Sequence, residues 1–136
     1  MKFYKLKPAY VDYLWGGRKL IDNWNKHPET PTIAETWEIS MHEAGKTIIA
    51  EGAQKGQPLA EAITKEDYGT NGQGFERFPF LVKLIDAQQN LSLQVHPDDA
   101  YALAHEDELG KTEMWYILEA DPGAGIYCGL KEEITP

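Results

Sequence analysis

The 136-residue sequence predicts a mainly β fold, an antiparallel sandwich or barrel with a few short peripheral helices. Two observations predict it. Gly and Pro divide the chain into short segments, and several of these segments alternate apolar and polar residues or form apolar runs rich in β-branched residues. The length suits a single domain, and 42% apolar with 26% charged residues is typical of a globular protein rather than a disordered one.

Three elements are predicted in the first half of the chain. Residues 33–40 alternate and predict a strand, and residues 47–50, beyond a Gly-containing turn, are expected to be its hairpin partner. Residues 58–68 place Leu59, Ala62 and Ile63 at helical spacing behind a proline, which predicts a short helix.

The second half is predicted to be mostly strands: residues 80–87, 91–96, 113–119 and 124–130, with an irregular loop at 71–74 and a turn at 121–123. The first of these strands is a nearly continuous apolar run, so we expect it to be buried on both faces. One helix, capped by Asp98 or Asp99, is expected to run to about Glu106.

Charge and cysteine content limit the possible partners and compartment. Thirteen basic residues against 22 acidic ones give a net charge of −9, which argues against nucleic acid or an anionic membrane as a partner. Cys128 is the single cysteine and cannot form an internal disulfide, which fits a reducing compartment. The N-terminal residues lack the apolar core of a signal peptide, and no apolar run approaches the ~20 residues that span a bilayer. We therefore expect a cytoplasmic protein.

The strand predicted at residues 91–96 carries the polar face best suited to chemistry. Side chains two apart share a face, so Ser92, Gln94 and His96 are expected to point one way. Leu93 and Val95 are expected to point into a core together with residue 91.

Imidazole suits zinc or another borderline metal, and an amide oxygen can supplement it. Glu113 begins the predicted strand after the helix and could add a carboxylate, while Lys111 lies two residues earlier. By spacing alone, an ordinary solvated strand face remains the alternative.

Several segments, taken in order, resemble type I mannose-6-phosphate isomerases. Residues 92–99, followed by residues 110–116, resemble the zinc site of that family. Three other segments are similar to further characteristic motifs of the family: Trp15-Gly16-Gly17, residues 35–40 and residues 79–83. The resemblance extends over about residues 10 to 130. Enzymes of this family are cupins, metal-binding β-barrels of the jelly-roll type, so the resemblance implies that fold.

The resemblance also implies a zinc-dependent isomerase that interconverts mannose 6-phosphate and fructose 6-phosphate. Gln94, His96 and Glu113 match three of the four zinc ligands of the family. Ser92 and Lys111 match the neighbourhood of the substrate phosphate, with Lys111 also a candidate catalytic residue, and Trp15 matches a residue that lines the sugar pocket. The alternatives are a solvated lysine at a strand edge for Lys111 and a core-packing residue for Trp15.

Two parts of the family pattern have no match. The fourth zinc ligand of the family is a histidine on a later strand, but no histidine follows Glu113 here. The catalytic arginine of the family, in its C-terminal part, also has no match, because the arginines of this chain are only Arg18 and Arg77. We therefore interpret residues 1–136 as the N-terminal, zinc-site portion of such an enzyme, an incomplete cupin with little turnover of its own. The alternative is a non-catalytic cupin fragment that binds metal or sugar or serves as an interaction module. Exposed strand edges are expected to be covered in a symmetric homodimer, or else removed by closure of a smaller barrel.

Overall fold

Short strands form most of the regular structure. The computed structural model describes residues 2–132. It contains five strands: β1 Leu6–Lys7, β2 Ala9–Val11, β3 Glu35–Ile39, β4 Ile48–Ile49 and β5 Val82–Ile85. The helices are α1 Lys19–Asp22, α2 Leu59–Ala62, α3 Asp99–His105 and a 3₁₀ helix, Lys65–Tyr68. Contacts divide the chain into two compact units, Met1–Ser92 and Leu93–Pro136.

All five strands lie in the first unit and form two antiparallel sheets. One sheet has the order β2-β3-β5, and the other pairs β1 with β4. The core is built around the start of β3 and around β4, where Ile33, Ala34 and Ile49 are fully buried. The mainly β class with short helices is confirmed, and neither sheet closes into a barrel within residues 2–132.

The strand predicted at residues 33–40 is confirmed as β3, but its predicted hairpin partner is wrong. β4 pairs with β1, because β2 and β5 already occupy the two edges of β3. Thr47 still connects the two segments: its N–H donates to the Ser40 carbonyl at 2.9 Å and its hydroxyl donates to the Trp37 carbonyl at 3.1 Å.

The helix predicted at residues 58–68 is present as two shorter pieces. Leu59 and Ala62 are buried on α2, as their spacing predicts. The helix ends because Ile63 is extended, and Thr64 then starts the 3₁₀ helix by forming a capping box with Asp67. The capping box at Thr64 thus starts a new helix within a segment whose apolar periodicity predicted one continuous helix.

The strand predicted at residues 80–87 is confirmed as β5, but its burial on both faces is not. Phe80 is 62% exposed, and Leu81 and Val82 are exposed as well. β5 is an edge strand with β3 as its neighbour. The continuous apolar run therefore predicts the position of this strand correctly, but it does not predict which of its faces are buried.

In the second unit the helix prediction is confirmed and the strand predictions are wrong. Asp98 caps α3, and Ala124 N–H donates to the Asp121 carbonyl at 2.9 Å in the predicted turn. Residues 91–96, 113–119 and 124–130 form no strand, because a strand requires a hydrogen-bonded neighbour and none pairs with them within the residues described. Leu93 and Val95, expected in a core, are 92% and 88% exposed.

Candidate functional site

A closed loop around α3 brings two of the three predicted metal ligands, His96 and Glu113, together. The Asp98 carboxylate accepts the Tyr101 N–H at 2.9 Å and starts the helix, while the Asp99 carboxylate accepts the Gly110 N–H at 2.9 Å. The Lys111 N–H donates to the Pro97 carbonyl at 3.1 Å and completes the closure. Gly110 fits this crossing because a Cβ there would overlap the backbone of Asp98 and Asp99.

His96 and Glu113, one on each side of the closed loop, are in contact. His96 Nε2 lies 3.1 Å from Glu113 Oε2, and Lys111 Nζ lies 3.3 Å from Glu113 Oε1. The imidazole is 26% exposed and the carboxylate side chain 20%. The pair is therefore half-buried but open to an incoming ligand.

The surroundings of Glu113 keep its carboxylate ionised. Burial alone would raise its pKa, but hydrogen bonds from the Trp115 indole and from His96, together with the Lys111 ammonium, lower the pKa to about 2. At neutral pH the side chain therefore presents a charged oxygen beside an imidazole nitrogen.

The atoms of this pair fit a metal centre. Zinc binds His nitrogen and carboxylate oxygen at about 2.0–2.2 Å, so two ligand atoms of a tetrahedral site lie roughly 3.3 Å apart, close to the separation seen here. Gln94, the predicted amide ligand, is exposed. Within residues 2–132 no three His, Cys, Asp or Glu side chains are grouped to hold a metal ion. The three-ligand set thus stays a prediction, with two of its members in contact.

The other predicted substrate residues belong to the first unit. Ser92 is its last residue and is exposed. Trp15 is half-buried and stacks with Tyr13 at a centroid distance of 5.4 Å. The roles of these residues and of Lys111 toward a sugar phosphate remain predictions.

Sequence reasoning overlooked a buried ion pair in the three-stranded sheet. Lys83 Nζ on β5 lies 2.9 Å from Glu35 Oε1 on β3, and the Trp37 indole donates to Glu35 Oε2 at 2.7 Å. The Glu35 side chain is 5% exposed. The available signal was Lys83, the one charged residue in the apolar run 80–85.

The two glycines after Trp15 have a packing role in the structure. Gly16 and Gly17 form bridges to Ala87 and Ile33. A Cβ on Gly17 would lie 2.5 Å from an oxygen of Asp86, whose carboxylate accepts the Lys19 N–H at 2.6 Å. Gly17 therefore allows the chain to cross closely over this carboxylate, and Gly16 allows it to approach the backbone of Ile33 and Ala34.

Comparison with known proteins decides the family. The model of the catalytic domain of type I phosphomannose isomerase matches residues 3–119, most of the chain. The chain belongs to this family. Similar phosphomannose isomerases include the mannose-6-phosphate isomerase of Streptococcus mutans, 45% identical over 89% of this chain and 40% of that protein. Another, from Bacillus subtilis, is 40% identical over 95% of this chain and 42% of that protein.

The fold agrees with membership of the phosphomannose isomerase family. A crystal structure of the Bacillus subtilis mannose 6-phosphate isomerase matches with a TM-score of 0.69 and 37% identity, covering 77% of this chain and 34% of that one. The chain thus spans about two fifths of the length of the curated relatives it matches. Across residues 2–132, no helix is both long and apolar enough to cross a bilayer.

Proposed function

We propose that this chain carries the metal-site portion of an isomerase that interconverts mannose 6-phosphate and fructose 6-phosphate. The observation that carries the proposal is the contact between His96 and Glu113, both inside the stretch matched to the isomerase domain. The relatives named as mannose-6-phosphate isomerases support this substrate. A cytoplasmic location is proposed with it, since the lone Cys128 fits a reducing compartment.

His96 and Glu113, with Gln94, would hold a zinc ion. Bound zinc supplies Lewis-acid polarisation of the sugar oxygens during the transfer of a proton between neighbouring carbons. Because the pKa of Glu113 is about 2, its carboxylate can bind a cation at neutral pH without first releasing a proton.

Lys111 orients the ligand pair from the second oxygen of Glu113. Its ammonium lies 3.3 Å from that oxygen and its side chain is 46% exposed, so it can also reach a substrate phosphate. Ser92 would add a hydroxyl donor to the phosphate, and the Trp15 ring would line the sugar pocket.

We expect weak zinc binding and little turnover from the 136-residue chain. Three ligands match the family set and no histidine follows Glu113 to supply a fourth. When several groups act together on one transition state, removal of any one of them abolishes most of the rate of the reaction. The second candidate function is a module that binds metal or sugar without catalysis; it is favoured by the fact that, within residues 2–132, no third His, Cys, Asp or Glu side chain joins His96 and Glu113 in a metal-binding group.

Zinc affinity of the purified chain, measured by competition with a chromophoric chelator, tests the metal site. His96→Ala and Glu113→Gln are each expected to weaken binding at least tenfold, because each removes a ligand atom, whereas His27→Ala removes an exposed imidazole outside the pair and should leave affinity unchanged. Equal affinity in all four proteins would refute the site.

A coupled assay on the same chain with mannose 6-phosphate separates the two candidate functions. Trace, chelator-sensitive isomerase activity supports the enzyme. Zinc binding with no turnover at any zinc concentration supports the binding module. Robust zinc-independent turnover contradicts the metal role of His96 and Glu113.

We also propose that the chain self-associates as a symmetric homodimer. Open sheet edges and exposed apolar side chains such as Phe80, Leu93 and Val95 recruit further polypeptide chains. Light scattering over a concentration series should show a mass rising toward the dimer. A constant monomer mass would exclude self-association.

A further inference from the structure

An open cleft of about 480 Å³ lies where three strands of one sheet end. Val11 at the end of β2, Glu35 at the start of β3 and Ile85 at the end of β5 are level in the antiparallel register. The segments beyond these residues therefore meet at one edge of the sheet. They supply the cleft with Asp12 and Tyr13, Thr32, and Gln88 and Gln89.

The polar groups of the cleft are held in place by hydrogen bonds. The Thr32 hydroxyl donates to Asp12 Oδ1 at 3.3 Å. The N–H groups of Gln88 and Gln89 both donate to the Trp15 carbonyl, at 2.9 and 3.2 Å. The backbone under the two glutamines is thus fixed, and their exposed side-chain amides border the cleft.

An aromatic surface completes the lining. Tyr13 stacks on Trp15 with 28° between the ring planes, and 47% of Tyr13 is still exposed. Because stacking on Trp15 limits the motion of the Tyr13 side chain, a ligand that packs against this apolar ring causes little further loss of side-chain entropy.

We infer that this cleft binds a neutral pyranose sugar. Carboxylate and amide groups pair with adjacent sugar hydroxyls as acceptors and donors, and an aromatic ring packs against the apolar C–H face of the ring. The volume is in the range of small-molecule sites. Among the lining residues, Asp12 is the one with a charged side chain. Its negative carboxylate repels a phosphate ester, so a neutral sugar is favoured over a sugar phosphate. The lining belongs wholly to the unit Met1–Ser92, and the inference does not depend on isomerase activity.

Titration of the isotope-labelled chain followed by NMR tests the inference, with D-mannose, mannose 6-phosphate and glycerol as probes. D-mannose is expected to give saturable shifts, in the millimolar range, at the Tyr13 amide and at the side-chain amides of Gln88 and Gln89. Mannose 6-phosphate should bind these residues at least fivefold more weakly, and glycerol should give no saturation.

Two variants provide the matched comparison. Asp12→Asn should lower the affinity for D-mannose about tenfold, since it removes a charge-assisted hydrogen bond. Glu29→Gln removes one exposed carboxylate outside the cleft and should leave the affinity unchanged. Linear shifts like those with glycerol, equal effects of the two variants, or tighter binding of mannose 6-phosphate at these residues would each overturn the inference. Loss of zinc binding or of turnover would not affect it.

Discussion

Lys83 Nζ lies 2.9 Å from Glu35 Oε1 across the β3–β5 pair, and the two side chains are only 18% and 5% exposed. The second oxygen of Glu35 accepts the Trp37 indole N–H, so both oxygens of the buried carboxylate are satisfied. An ion pair this well enclosed differs from the surface pairs of the chain, because removing one partner takes away the nearest opposite charge from a buried group.

Glu35→Gln is expected to lower the free energy of unfolding by about 3 kcal/mol, since it leaves the Lys83 ammonium buried beside a neutral amide. Urea unfolding followed by tryptophan fluorescence measures the change. The matched control is Glu76→Gln, which breaks the 2.7 Å pair with Lys65 where the Glu76 side chain is 92% exposed, and the midpoint should then stay unchanged. Similar midpoints for the two variants would contradict a structural role for the buried pair.

Gly17→Ala should destabilise the chain by about 1–3 kcal/mol, because its Cβ would lie 2.5 Å from an Asp86 oxygen. Gly74→Ala is the control, since a Cβ there would meet nothing within 4 Å. Thermal unfolding of both variants distinguishes a steric clash from a general effect of losing glycine. The expectation fails if Gly17→Ala melts at the same temperature as Gly74→Ala.

Asp98→Ala is expected to destabilise α3 by about 1 kcal/mol, because the Tyr101 N–H loses its side-chain acceptor. Faster hydrogen exchange at the Tyr101 and Ala102 amides would report the loss. Asp98→Asn keeps an oxygen acceptor and should preserve slow exchange. If the alanine and asparagine variants exchange at equal rates, the cap contributes nothing.

Lowering the pH should loosen the 3₁₀ helix Lys65–Tyr68. The Thr64 backbone N–H, and to a lesser degree Lys2, hold the pKa of Asp67 below its ordinary 3.8. A carboxyl whose pKa is lowered by folding stabilises the fold above its unfolded pKa, and this stabilisation is lost as the pH falls through the folded value. NMR titration of the Asp67 carboxyl carbon should give a midpoint below 3.8.

Lys2→Met should raise that midpoint only in part, because the Thr64 N–H remains. A midpoint at 3.8 or above in the unaltered chain would contradict the capping box.

Local signals in the sequence predicted the elements whose stabilising contacts are also local. The Asp98 cap and the spacing of Leu59 and Ala62 act within a few residues, and the structure has them as predicted. Pairing of strands depends on partners far along the chain, and there prediction failed. β4 pairs with residues 6–7, more than forty positions away, although the short Gly-containing turn before it predicted pairing with β3.

The same distinction applies to the candidate site. Alternation placed Gln94 and His96 on one polar face, and Glu113 was a candidate because it begins the next predicted strand. The family pattern then singled out all three residues. The sequence pattern did not indicate that the N–H groups of Gly110 and Lys111 would close the loop that joins His96 and Glu113, because hydrogen bonds of the backbone N–H groups do not affect a hydropathy pattern. The Glu35–Lys83 pair was overlooked for a related reason, since a charge inside an apolar run identifies a buried position but not its partner.

The loop that joins His96 to Glu113 has a kinetic consequence. The two side chains are 17 positions apart, and α3 takes up part of that separation, so the entropy lost in closing the loop is small. Loops of this order close in well under a microsecond in a free chain. An ion can therefore meet the imidazole and the carboxylate together soon after this stretch leaves the ribosome.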